Sequence, residues 1–185
     1  MKGARIDVLD ACVLIPMPLA DTLLRLAAGP RLYIPKWSDR IMEEVNRTLH
    51  EDFGLSPEKT LHRESEIRRH FPEAWIEGYE RLIPSMTNHP KDRHVLAAAV
   101  HARAATIVTY NTKDFPPPSL PAHGIVVAGP SMFLKNLYTQ APAEITATLE
   151  AQAAAIGQPL TFVLSRLRVN VPAFVELVKK AIQTK

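Results

Sequence analysis

Four carboxylates stand where a chain ordinarily keeps acids out or leaves them without a task. Asp10 interrupts the apolar run RIDVLDACVLIP, Glu44 lies in SDRIMEEVNRTLHEDFG, Asp92 opens KDRHVLAAAVHARAAT, and Asp114 sits in NTKDFPPPSLPAHG just after TIVTY. An ionised carboxylate withdrawn from water is costly unless something pairs with it, so Asp10 needs a basic side chain, a helix N-terminus or a cation shared with other acids. If the four acids converge, their repulsion raises some of their pKa values and destabilises the fold until cations neutralise them. An all-oxygen set of this kind suits Mg²⁺ or Mn²⁺. The chemistry it predicts is phosphodiester hydrolysis, in which the ion acidifies a bound water and offsets charge developing on the phosphate.

Each acid also has an ordinary reading. Asp92 fits an N-cap or a first-turn acid favoured by the helix dipole. Asp114 fits a turn former bonded to its own backbone, and Glu44 fits a solvated helix acid. Only Asp10 lacks a comfortable alternative beyond pairing with a basic side chain. At about 100° per residue, Glu43 falls opposite the stripe of Ile41, Met42, Val45 and Leu49, whereas Glu44 lies near its edge and reaches the sheet margin. Other chemistries fit less well. One cysteine and seven scattered histidines make no zinc pattern, and His94 and His101 read as surface or half-buried helix residues. Cys12, taken as part of a buried strand, has no identifiable base, and no glycine-rich phosphate loop exists.

The elements that must position these acids alternate. Strands are expected in RIDVLDACVLIP, RLYIP, TIVTY and IVVAG. Helices are expected in MPLADTLLRLAAGP, in the segment capped by Ser38 and closed by Gly54, in SPEKTLHRESEIRRHF, in PEAWIEGYERLIPSM as a short amphipathic piece, in KDRHVLAAAVHARAAT and in SMFLKNLYTQ. The basic residues of the third helix (His62, Arg63, Arg68, Arg69, His70) read as a wet face or as an RNA contact. Alternation of this kind predicts an α/β fold, a parallel sheet covered by helices on both sides in three α/β/α layers. Ligands in such sheets bind beyond the carboxyl ends of the strands, where the four acids fall. From Ala141 onward only helices are expected, so the chain divides into a body, residues 1–140, and a helical extension, 141–185, too short to fold alone and packed on the body or on a partner.

The 185 residues suit one domain with an appendage. A charge of +3 and a pI near 9.1 permit nucleic acid as a partner without requiring it. A single cysteine excludes an internal disulfide, and no leader pattern or bilayer-length apolar run is evident, so a soluble, cytoplasmic protein without a membrane partner is expected.

The segments VLDACVLIP, WSDRIMEEVNRTL, KDRHVLAAAV and IVTYNTKDFP, taken in this order, resemble those of PIN-domain nucleases, above all the VapC-type toxin ribonucleases of VapBC toxin–antitoxin systems, over roughly Ile6 to Phe133. The resemblance implies a PIN-like fold and a Mg²⁺- or Mn²⁺-dependent endoribonuclease acting on single-stranded or loop RNA. It also implies a homodimer and a small cognate antitoxin laid over the site. On that basis Asp10, Asp92 and Asp114 are expected as metal ligands and Glu44 as a ligand or a base acting through water, with Asn111 orienting a water or phosphate and Thr109 hydrogen-bonding behind the ligands. Two departures stand out. Ala11 and Cys12 follow the first acid where many members carry a hydroxyl and then an amide or hydroxyl, and Asn111 stands where many carry an acid. These leave open an alternative, a catalytically weak PIN-like module that binds RNA or a protein.

Overall fold

The computed structural model describes residues 5–120 and 124–183. Residues 121–123, which fall in the proline-rich loop expected from the sequence, lie outside the described residues. The strands are short: β1 (Ile6–Leu9), β2 (Ile34–Ser38), β3 (Trp75–Ile76), β4 (Thr106–Val108) and β5 (Val126–Ala128). They form one sheet of order β3-β2-β1-β4-β5, and every pairing is parallel. Parallel neighbours require crossover connections; as far as β4 these carry helices, α1 (Ala11–Leu14), α2 (Met17–Ala28), α3 (Asp39–Glu51), α4 (Pro57–His70) and α5 (Arg93–His101), and between β4 and β5 the described residues carry two 3₁₀ turns, Thr112–Asp114 and Pro117–Ser119. The result is the expected α/β/α sandwich. After β5 come α6 (Pro130–Gln140), α7 (Pro142–Ala155), α8 (Leu160–Leu167) and α9 (Pro172–Gln183), the expected helical C-terminal portion.

The strand order reverses at β1. The chain moves outward from β1 through β2 to β3 and then returns to lay β4 on the other side of β1. The connections on the two sides leave in opposite directions, which opens a crevice at the carboxyl ends of β1 and β4. Three local findings differ from the sequence reading. First, β1 ends at Leu9, and ACVL continues as the one-turn helix α1 with Asp10 as its N-cap. A short apolar run does not itself distinguish strand from buried helix. Cys12 is therefore helical rather than part of a strand. Second, PEAWIEGYERLIPSM contains no α-helix: two 3₁₀ turns flank the two-residue strand β3. Third, Arg63 of α4 is half-buried, whereas His62, Arg68, Arg69 and His70 are exposed as the wet-face reading expects. Arg63 donates to the Leu14 carbonyl at the end of α1 (2.6 Å), Arg68 pairs with Asp39 and stacks on Trp75, and Arg69 pairs with Glu66.

Val8, Leu9, Val13, Leu14, Leu23, Trp37, Ile41, Leu96 and Ile107 are fully enclosed and form the centre of the core. The buried carboxylate inside a strand is Asp7, not Asp10. Its side chain is shut off from solvent, Arg5 donates to it at 2.9 Å, and burial still pushes its pKa up.

The C-terminal helices share this core. Ile145, Leu149 and Ala153 of α7 are buried, and α7 packs along α2. There the Gln152 side chain accepts from the Thr22 hydroxyl (2.8 Å) and donates to the Pro18 carbonyl (3.1 Å). Phe174 of α9 is fully buried and meets Tyr138 of α6 edge-on, with ring centroids 6.2 Å apart. Truncating a buried phenylalanine costs about 3–5 kcal/mol through lost burial and the residual cavity. Phe174→Ala is accordingly expected to lower the stability of the entire chain by that amount while unfolding, followed by circular dichroism and by near-ultraviolet signals, remains a single transition. A separate low-temperature transition confined to α7–α9, with the main one unmoved, would contradict this.

Candidate functional site

Asp10 ends β1 and caps α1. Its Oδ1 accepts from the Ala11 N–H at 2.7 Å, and its Oδ2 accepts from the Thr109 hydroxyl at 2.6 Å. The ladder between β1 and β4 runs one step past the strands, since the Asp10 N–H donates to the Val108 carbonyl at 3.1 Å. Thr109, wholly buried, is thereby set directly across from Asp10. The Thr109 oxygen in turn accepts from the Asn111 N–H (3.0 Å), which folds the loop after β4 back over the strand end.

Cys12 completes this knot. Its sulfur accepts from the Tyr110 N–H (3.3 Å), and its thiol donates to Asp10 Oδ2 (3.3 Å). Burial first, and then the charge of Asp10, push the thiol pKa up to about 12, so it stays protonated and serves as a donor. The hydroxyl or amide missing from the sequence at this position has a thiol in its place.

Asp10, Glu44, Asp92 and Asn111 line one cleft, together with Cys12, Arg47, Thr48 and Lys91. Three of the four acids expected at the strand ends, Asp10, Glu44 and Asp92, line it, and Asp114 does not. Glu43 points to solvent and Glu44 is half-buried, as the helical wheel predicts. Glu44 Oε1 lies 3.3 Å from His94 Nε2, and His94 is buried rather than at the surface. Neither of its ring nitrogens has an aligned hydrogen bond.

Asp92 occupies the N-cap position of α5 but makes no capping hydrogen bond, so the capping reading of this residue fails. It is 6% exposed, and its Oδ2 is buried without a hydrogen-bond partner. Burial, and next the negative charge of Asp10, raise its pKa from 3.8 to about 7. Asp114 lies outside the cleft lining, with a carboxylate oxygen within 4.8 Å of one from Asp92. The Lys91 ammonium, 2.9 Å from Asp114 Oδ2 and 3.9 Å from Asp92 Oδ2, holds the Asp114 carboxyl below its usual range.

The sequence reading passed over His89 and Lys91. His89 contributes a ring nitrogen within 4.8 Å of oxygens from Asp92 and Asp114. No periodicity marks either residue. Only the pattern HPKD, with charge and imidazole flanking a proline before a helix, hints at them. The donor set suits a divalent cation on physical grounds, since Asp92 has an oxygen without a hydrogen bond and a pKa raised first by burial and then by the charge of Asp10.

Comparison with known proteins adds three findings. A family model described as PIN domain matches residues 7–113. Putative ribonuclease VapC50 of Mycobacterium tuberculosis (strain ATCC 25618 / H37Rv) is 49% identical over 71 residues, which are 37% of this chain and 42% of that protein, so the match spans less than half of the relative's length. No solved structure matches the chain. The matched region holds both strands that frame the crevice as well as Asp10, Glu44, Asp92, Thr109 and Asn111, and Asp114 follows its last residue by one. Because that family model accounts for more than half of the sequence, the chain belongs to the PIN-domain family.

Proposed function

We propose that the protein is a metal-dependent endoribonuclease, a cytoplasmic toxin of a type II toxin–antitoxin pair that acts as a homodimer and is restrained by a small antitoxin. The observation that carries the catalytic part is Asp92. A carboxylate oxygen buried without a hydrogen bond, with the Lys91 ammonium 3.9 Å away as its counter-charge and the charge of Asp10 facing it where the strand order reverses, suits a cation. The partial match to a relative named as a ribonuclease supports RNA as the polymer.

Asp10, Asp92 and Asp114 would hold the ion, with Glu44 a further ligand or the base that takes a proton from water. The ion, Mg²⁺ or Mn²⁺, would supply Lewis acidity toward water and the scissile phosphate. The protein's own part is positioning. Thr109, Ala11 N–H and Cys12 fix both oxygens of Asp10 in one orientation, so that little reorganisation accompanies reaction. Asn111 presents its amide at the cleft wall, where it can orient a phosphate oxygen or a water. Arg47 and Lys91 add positive charge at the cleft, which favours a polyanion whatever its base sequence. Helices 141–185 form an extension docked on the 1–140 body rather than an independent unit.

Two outcomes follow. Purified protein, freed of any bound inhibitor, is expected to cleave mixed RNA with Mg²⁺ or Mn²⁺ and not with EDTA. Asp10→Ala and Asp92→Ala, verified as folded, should each lose about 100-fold or more, the scale on which a group meeting transition-state charge is missed. Wild-type protein that cuts no RNA and binds no Mn²⁺ by calorimetry would sink the proposal.

The second outcome concerns stability without divalent ions. The folded form keeps a proton on Asp92 up to about pH 7, whereas the unfolded form loses it near 3.8. Between these values the folded state binds more protons, so raising the pH removes stability. Asp92→Asn, which cannot ionise, should therefore gain on wild type as the pH rises from about 4 to about 7, by on the order of 2–4 kcal/mol in chemical denaturation, with no further gain above that window. Millimolar Mn²⁺ should close the gap by stabilising wild type alone. A gap independent of pH and metal would show that Asp92 has no raised pKa and holds no cation.

A further inference from the structure

His94 stands in the first turn of α5 and is 1% exposed. Ala97 and Ala98, which share its face of the helix, are fully buried, so its place belongs to the core. An apolar side chain would satisfy that place. The imidazole instead brings two polar nitrogens, and neither makes an aligned hydrogen bond. A buried polar group left without a partner costs stability that an apolar group of the same shape would not. Packing alone therefore gives no reason for a histidine here.

The reason stands on the neighbouring helix. Glu44 Oε1, on α3, is 3.3 Å from His94 Nε2. The Glu44 side chain is 26% exposed, with one side toward the buried imidazole and the other on the cleft that it lines. Hydrogen bonds of catalytic groups are often long or poorly aligned before substrate arrives, and a small turn of the Glu44 side chain aligns this one. Asp10 is treated in the same way, since neutral donors from the protein take hold of its oxygens.

We propose that His94 is the positioning residue of Glu44. Its Nε2–H holds Oε1 against the core and thereby aims Oε2 into the cleft, where a carboxylate free to rotate would spend most of its time misdirected. His94 itself touches neither ion nor RNA. The inference rests on the reading of the cleft as a nuclease centre in which Glu44 is a ligand or a base.

Two variants of the full chain test it. His94→Leu removes both nitrogens and keeps apolar bulk, whereas the side-chain amide of His94→Gln can place a donor where Nε2 stands. In RNA cleavage with Mn²⁺, His94→Leu is expected to lose about 10- to 100-fold in kcat, with KM within about twofold, the pattern of a lost group that supports a reacting one. Its thermal unfolding is expected at or above the wild-type temperature, because two unpartnered polar atoms have left the core. His94→Gln should recover most of the lost kcat. The imidazole proton resonances of the metal-free chain give a readout independent of cleavage. Wild type is expected to show a slowly exchanging Nε2–H proton on His94, shifted or lost in Glu44→Ala. A His94→Leu protein that cleaves as wild type does, or that melts well below it without recovery in His94→Gln, overturns the inference and leaves the nuclease reading intact. So does an Nε2–H resonance that Glu44→Ala does not move. Wild type that cuts no RNA overturns the nuclease reading, and this role with it.

Discussion

The parallel pairing of β1 with β4 is the constraint on which the rest of the molecule depends. Its last hydrogen bond, from Asp10 N–H to the Val108 carbonyl, lies beyond the strands themselves and sets Thr109 against Asp10. That register determines which side chains face one another at the reversal point of the sheet, and slipping it by one residue would turn the Thr109 hydroxyl to the other face. The core beneath, with Val8, Leu9 and Ile107 fully enclosed, resists such a slip because each misplaced apolar side chain would lose its burial. Packing energy is thus converted into the orientation of one carboxylate.

Charge balance is the second constraint. Two buried acids in β1 and its end are treated in opposite ways. Asp7 is given a guanidinium, Arg5, and a strand hydroxyl, Thr106. Asp10 is given only neutral donors, the Ala11 amide, the Thr109 hydroxyl and the Cys12 thiol, and the acids Glu44 and Asp92 share its cleft. Asp7 keeps one oxygen without a hydrogen bond, and what sets it apart is the guanidinium beside it. Around Asp10 the compensation is left incomplete, with Lys91 the cation at the edge of the cluster, and that incompleteness is what separates a site from a scaffold.

Much of this was legible in the sequence. The strand and helix alternation follows from apolar periodicity, and the choice of Glu44 over Glu43 follows from the helical wheel and agrees with their exposures. The errors have physical causes. ACVLIP is apolar throughout, so only the capping geometry of Asp10 shows where the strand stops. The strand Trp75–Ile76 is two residues long, below any periodic signal, and exists because β2 lies beside it. His89, Lys91 and the thiol of Cys12 were passed over as contributors because their parts arise where separate loops meet, and such meetings leave no local pattern.

Tyr110 stands between Thr109, which holds Asp10, and Asn111, which lines the cleft, and its phenol donates to the Asn170 carbonyl at 3.1 Å, in the turn joining α8 to α9. Residues 60 apart in the chain therefore share one tether. The corner between the last two helices acts as a handle on the cleft, and a molecule that grips that corner would exert leverage on the acids without ever entering the space between them.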